Sequence, residues 1–339
     1  MFKFIKFYFS LILLGMSFSI VRAQPILSNH SFSKNDNLIG TLNLPGKEAK
    51  FKIVGENAQL FRLQGNKLYI RKENIKADIQ FYDLTISAST SSGQQEQTFR
   101  LVQDEFIKNR VIAHRGAWKN TGATENSIAA LQFAIAMGCQ GSEFDVHLSA
   151  DSVLVVNHDP TIQGKTIHTS TAAELLALKL PSGENMPSLE SYILAGMTQN
   201  KTKLILEIKP TINKERALQL THKVMDLVRK LKAQAWIDYI SFDYNICLEL
   251  LRIDPHARVA YLNGDKSPEI LAKDKLWGLD YNQNVFQKNP EWIAQAKQKG
   301  LTINAWTVND PKLLKFFLDQ ELDFITTNEP EALLKMLVK

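Results

Sequence analysis

Ser142-Glu143-Phe144-Asp145-Val146-His147-Leu148-Ser149-Ala150-Asp151-Ser152-Val153-Leu154-Val155-Val156-Asn157-His158-Asp159 is the stretch on which the architecture turns. Two apolar runs of strand character, residues 142–147 and 153–157, stand only five residues apart. A parallel neighbour in a sheet needs a crossover of about a dozen residues, so the second run cannot be the next parallel strand. It reads as the return arm of a hairpin turning near residues 150–152, which brings Asp145 and His158 to a similar height. With that arm set aside, runs at 111–114, 142–147, 204–208, 239–242, 258–262, 278–281, 302–307 and 323–327 remain. Buried strands alternating with amphipathic helices predict an α/β fold, and this count predicts a closed TIM (β/α)8 barrel.

The intervening segments fit that plan. In 127–137, Ile128, Leu131, Ala134 and Ile135 share a helical face, with Asn126 as cap and Gly138 as stop. In 214–232, Leu220, Val224, Leu227, Val228 and Leu231 repeat the pattern and leave His222 on the polar side. The stretch 160–203 holds helices around 171–178 and 188–195 and has room for only a small cap.

Upstream, residues 1–23 read as a secretory signal: Lys3 and Lys6, an apolar run from Phe7 to Val21, and a small residue, Ala23, before the cut. The chain is therefore expected to be exported, periplasmic or secreted, with no stable membrane insertion after cleavage. Loss of Lys3, Lys6 and Arg22 leaves 37 basic against 35 acidic residues, a net charge of +2. That near-neutral balance argues against a nucleic-acid partner. Cys139 and Cys247 read as buried free thiols. Residues 24–105 carry short alternating runs at 49–54, 59–63, 67–70, 80–88 and 97–102, separated by turns such as Pro45-Gly46 and Gly65-Asn66. They predict a small all-β, antiparallel sandwich ahead of a barrel domain spanning 106–339. Phe51-Lys52-Ile53, Phe61-Arg62-Leu63 and Tyr82-Asp83-Leu84-Thr85-Ile86 resemble a cadherin-like repeat, without the acidic calcium motifs of such repeats.

Polar residues gather at the C-terminal ends of the predicted strands, where barrel enzymes keep their active sites. Glu143 and Asp145 are two apart on a strand, so both carboxylates face the lumen, and Glu207 at the end of the next strand adds a third. Inward carboxylates repel unless a cation lies among them. An all-oxygen set favours one hard divalent cation, Mg²⁺ or Ca²⁺, over zinc. Arg115 and Lys209 either balance these carboxylates or hold phosphate oxygens. His114 and His158 flank the same place, and imidazoles titrating near neutrality can exchange protons there. His147 shares a strand face with Glu143 and Asp145 and is a further candidate.

Ile112-Ala113-His114-Arg115-Gly116, Glu125-Asn126-Ser127, Glu143-Phe144-Asp145-Val146, His158-Asp159, Leu206-Glu207-Ile208-Lys209 and Ala305-Trp306-Thr307-Val308-Asn309 resemble, in order, the motifs of the glycerophosphodiester phosphodiesterase family. The resemblance spans about residues 110–335 and implies a TIM barrel. It also implies metal-dependent hydrolysis of small glycerophosphodiesters to glycerol 3-phosphate and an alcohol. It assigns His114 and His158 as acid and base, and Glu143, Asp145 and Glu207 as metal ligands. Arg115 and Lys209 become phosphate contacts, Trp306 a substrate-pocket aromatic, and Glu125 a supporting residue behind the site. Ser149-Ala150-Asp151-Ser152 and Ala123-Thr124 depart from the family pattern beside the mouth, where the alcohol group would be read. Two alternatives remain: a phospholipid- or phosphoinositide-directed diesterase, for which an apolar rim at the mouth would speak and none is evident in the sequence, and a non-catalytic binding module.

Overall fold

Eight parallel strands close on themselves in a computed structural model that describes residues 24–33, 35–76 and 79–338. The expected export signal, residues 1–23, lies outside the described residues. The barrel strands are β1 (Val111–Ala113), β2 (Gly141–Leu148), β3 (Lys203–Ile208), β4 (Ile237–Ser241), β5 (Val259–Tyr261), β6 (Gly278–Asn282), β7 (Thr302–Trp306) and β8 (Phe324–Thr327). β1 pairs with β2 on one side and β8 on the other, which removes any sheet edge from the ring. Leu154–Val156 lies antiparallel on β2, Val146 opposite Val156, as the five-residue spacing requires.

Strand alternation sorts the core into two layers. Val111 and Ala113 of β1 pack outward among Leu131, Ala134, Leu204, Ile303 and Ile325. Ile112 points inward with Ile205, Ile240, Ala260 and Leu262, filling the lumen below the mouth. The helix Ile128–Met137 is capped by Ser127, whose Oγ accepts from the Ala130 amide, and ends at Gly138 in the left-handed region. Asn126 is thus not the cap; its side chain is engaged elsewhere, as described below. The helix Lys214–Leu231 starts at Asn213 and buries Leu220, Val224 and Val228, while His222 is exposed on Glu249. Ala172–Leu176 and Leu189–Gly196 form the small cap segment, each opened by a hydroxyl N-cap, Thr171 and Ser188. Cys139 and Cys247 are free and buried.

The N-terminal strands form two four-stranded sheets around Leu27, Phe32, Leu42, Leu68, Leu84, Ile86, Phe99 and Leu101. One pairing departs from the antiparallel expectation: Ser31–Phe32 runs parallel to Gly93–Gln103. A two-residue strand carries no alternation signal, and its direction is set by where the chain crosses between sheets. The sandwich meets the barrel at the N-terminal ends of its strands, opposite the mouth. Lys232, just past its helix, reaches Asp83 at 2.6 Å, and Asp83 also holds Arg100 at 2.8 Å. Lys201, ahead of β3, pairs with Glu105 at 2.6 Å, and buried Asn200 donates to the Gln103 carbonyl.

Candidate active site

The turn after β1 is strained by design of its sequence: Arg115 and Gly116 both take positive φ, at 57° and 80°. A Cβ on Gly116 would lie 2.7 Å from the Ala130 carbonyl carbon, so only glycine lets this turn pack on the first helix. The turn aims the Arg115 amide at Glu143, whose Oε2 accepts it at 2.8 Å. On β2, Glu143 and Asp145 face inward, and register places Asp145 directly beside Glu207 of β3. The ligand atoms of Glu143, Asp145 and Glu207 lie within 4.8 Å of one another, all three residues buried.

Among the described residues, the ammonium that answers these charges is that of Lys209. Lys209 Nζ lies 2.9 Å from Asp145 Oδ1 and 2.8 Å from Glu207 Oε1. Both oxygens are buried, and among the described residues no donor beyond this ammonium reaches them. Burial, with Asp145 and Glu207 close by, pushes Glu143 well above the carboxylate range. Burial and Asp145 push Glu207 up to about 8. Asp145 would also rise on burial, but Lys209, His158 and the Asn126 amide hold it below its usual value. Lys209 is raised, the carboxylates outweighing its own burial. A buried, acceptor-only cluster with surplus negative charge fits a hard divalent cation.

Asn126, missed as a site residue, explains part of this arrangement. At φ 61° it donates from Nδ2 to Asp145 Oδ2 at 2.8 Å and accepts the Asp145 amide at 3.0 Å. Both histidines line the same pocket. His114 has Nδ1 on Asn328 Oδ1 at 2.8 Å and Nε2 4.0 Å from Glu143; burial, then Arg115, pushes it down to about 4. His158 comes back on the hairpin with Nδ1 2.6 Å from Asp159. His147 does not join the carboxylates despite sharing their strand; its Nε2 donates to the His158 carbonyl at 3.0 Å. Arg115 reaches Glu125 at 2.9 Å, with its Nε buried and unpartnered.

These groups line a pocket of about 110 Å³: His114, Arg115, Glu143, His158 and Glu207 on one side, Ile240, Phe242, Leu262 and Trp306 on the other. The sequence showed no apolar rim, because the apolar wall is assembled from separate strands, β4, β5 and β7. Phe242 and Trp306 meet edge to face at 5.5 Å. A larger cavity, about 140 Å³, lies between sandwich and barrel floor and contains none of these groups. Asn328 and Asp280 also escaped the sequence reading; neither belongs to a strand-end acidic or histidine pattern.

Residues 114–332 match the model of the glycerophosphoryl diester phosphodiesterase family. A glycerophosphodiester phosphodiesterase of Caldanaerobacter subterraneus subsp. tengcongensis is 27% identical over 248 residues, covering 69% of this chain and 99% of that one. The crystal structure of a glycerophosphodiester phosphodiesterase from Parabacteroides distasonis is 44% identical, with TM-score 0.67, over 68% of this chain and 98% of that one. An Oleispira antarctica phosphodiesterase, solved with sn-glycerol-3-phosphate, shares the fold at 24% identity and TM-score 0.59, over 68% of this chain and 97% of that one. With its matched region covering the whole barrel mouth, the chain belongs to the glycerophosphoryl diester phosphodiesterase family.

Proposed function

We propose that this protein hydrolyses small glycerophosphodiesters to glycerol 3-phosphate and an alcohol, with a divalent cation, Mg²⁺ or Ca²⁺, held by Glu143, Asp145 and Glu207. The observation that carries the reading is the buried three-carboxylate cluster, two members of which, Glu143 and Glu207, line one pocket with His114 and His158. When bound, such a cation neutralises phosphate charge and polarises phosphorus toward attack. Arg115, whose Nε has no protein partner, and Lys209 hold the phosphate oxygens. Trp306 and its apolar neighbours exclude water from the organic part of the substrate. Glu125 fixes the Arg115 fork.

Hydrogen bonding divides the labour of the histidines. Asn328 Oδ1 can only accept, so neutral His114 carries its proton on Nδ1 and presents a lone pair at Nε2. His114 is the base: Nε2 takes the proton of the attacking water as its oxygen bonds to phosphorus. His158, its Nδ1 anchored on the Asp159 carboxylate, gives its Nε2 proton to the alcohol oxygen as the phosphorus–oxygen bond breaks. Export belongs to the same proposal, supported by Lys3, Lys6 and the apolar run ending before Ala23.

The decisive experiment is release of glycerol 3-phosphate from a panel of glycerophosphodiesters, before and after exhaustive chelation and with Mg²⁺ or Ca²⁺ restored. Turnover that survives chelation contradicts the cation assignment. Turnover only of intact phospholipids moves the chain to the lipid-directed reading.

A further inference from the structure

Asp280 lines the same pocket, and the mechanism above gives it no task. Leu279 and Tyr281 pack in the outer core, so alternation turns Asp280 into the lumen, where it is 3% exposed. β6 lies four places round the ring from β2, which sets Asp280 across the lumen from Glu143 and Asp145. Its Oδ1 accepts from Asn304 Nδ2 at 2.8 Å. Among the described residues no Lys, Arg or His lies within ion-pair distance of it, and burial pushes it up to about 7. The surface around it is hydrocarbon: Ile240, Phe242, Leu262 and Trp306, the indole donating to the Asp280 carbonyl at 2.8 Å.

A purely structural role would close this network on itself. Asn304 Nδ2 does reach Thr326 Oγ1 at 2.7 Å, but Asn304 Oδ1 is buried without a partner, and among the described residues Asn304 alone hydrogen-bonds the Asp280 carboxylate. Burying a carboxylate with one oxygen unused is expensive, and a neutral side chain could hold Asn304 as well. Resting on the glycerophosphodiester reading, we infer that Asp280 is a specificity-determining residue that hydrogen-bonds a hydroxyl of the glycerol arm of the diester. The phosphate is held at β1 to β3, and the arm crosses the lumen with its carbons on Trp306, Phe242 and Leu262. A pocket of about 110 Å³ shared with the phosphate suits a three-carbon polyol. A carboxylate accepts from a hydroxyl and a carboxylic acid can also donate to one, so either form serves a polyol, whereas an ammonium would need the full charge.

The test compares kcat/KM on glycerophosphoethanolamine, on glycerophosphoinositol, whose alcohol carries no positive charge, and on bis(4-nitrophenyl) phosphate, which has no glycerol. Asp280→Leu should lower kcat/KM about 10- to 100-fold on both glycerol esters and change the nitrophenyl diester within about twofold. Asp280→Asn keeps the Asn304 contact and guards against misfolding of the leucine variant; it should show the same selectivity at about 3- to 10-fold. Equal loss on all three diesters, no loss, or loss on the ethanolamine ester that spares the inositol ester overturns the assignment, the last in favour of an ammonium contact. A wild-type enzyme that cleaves the nitrophenyl diester but no glycerol ester refutes the proposed function itself.

Discussion

His114 and His158 are held by different partners, an amide oxygen and a carboxylate, and the difference is measurable. Alanine at either position should lower kcat on natural diesters by about 10² to 10⁴, with KM changing far less because the phosphate contacts remain. A nitrophenolate leaves without protonation, so His158→Ala should recover much of its rate on the activated diester and His114→Ala should not. The reverse pattern would exchange the two roles. Asp145→Asn removes one charge from the carboxylate cluster at constant shape. It should raise the Mg²⁺ or Ca²⁺ concentration needed for half-maximal activity of chelator-stripped enzyme, and an unchanged requirement would remove Asp145 from the ligand set.

Among the elements, the loop from β1 to the first helix has a demanding geometry, because Asn126 takes φ 61° and bonds Asp145 in both directions. Asn126→Ala loses both features and should cost about 2 to 4 kcal/mol in denaturant unfolding. Asn126→Gly tolerates the backbone and should cost less, while both variants should weaken cation affinity about 10- to 100-fold, as loss of a ligand-orienting partner does. Unaltered affinity in the glycine variant would show that the backbone alone places Asp145. The hairpin on β2 acts similarly for His158, through the His147 bond to its carbonyl.

At the scale of the whole molecule, sandwich and mouth lie at opposite ends of the barrel. A chain beginning at Glu105 should therefore fold and keep its turnover, melting a few degrees lower for want of the Asp83–Lys232 contact. A folded but inactive fragment would give the sandwich a part in the site. His30, at the junction, is only partly covered by area, but its Nδ1 is enclosed and unpartnered, and burial, then Lys203 and His256, pushes it from 6.5 to about 3. The unfolded chain then binds the extra proton between those values, so this contribution to stability is complete above about pH 6.5 and declines as pH falls toward 3. Replacing His30 by Gln should flatten that acid limb in melts of the full chain. For export, N-terminal sequencing of the mature protein should begin at Gln24; a chain still starting at Met1 refutes cleavage.

The sequence by itself determined the barrel and the grouping of carboxylates at its mouth, because both are written in local spacing. Period-2 geometry puts Glu143 and Asp145 on one face, and a five-residue gap forces the hairpin that returns His158. Tertiary structure alone decided the partners. Asn126 and Asn328 are an unremarkable turn residue and a strand-end residue until closure of β8 against β1 brings Asn328 to His114 and the β1 turn lays Asn126 on Asp145. Asp280 and the apolar wall come from strands separated along the chain by whole helices, so no window of sequence holds them together. Likewise the direction of the Ser31–Phe32 pairing follows from how two sheets stack, since two residues are too few to encode it.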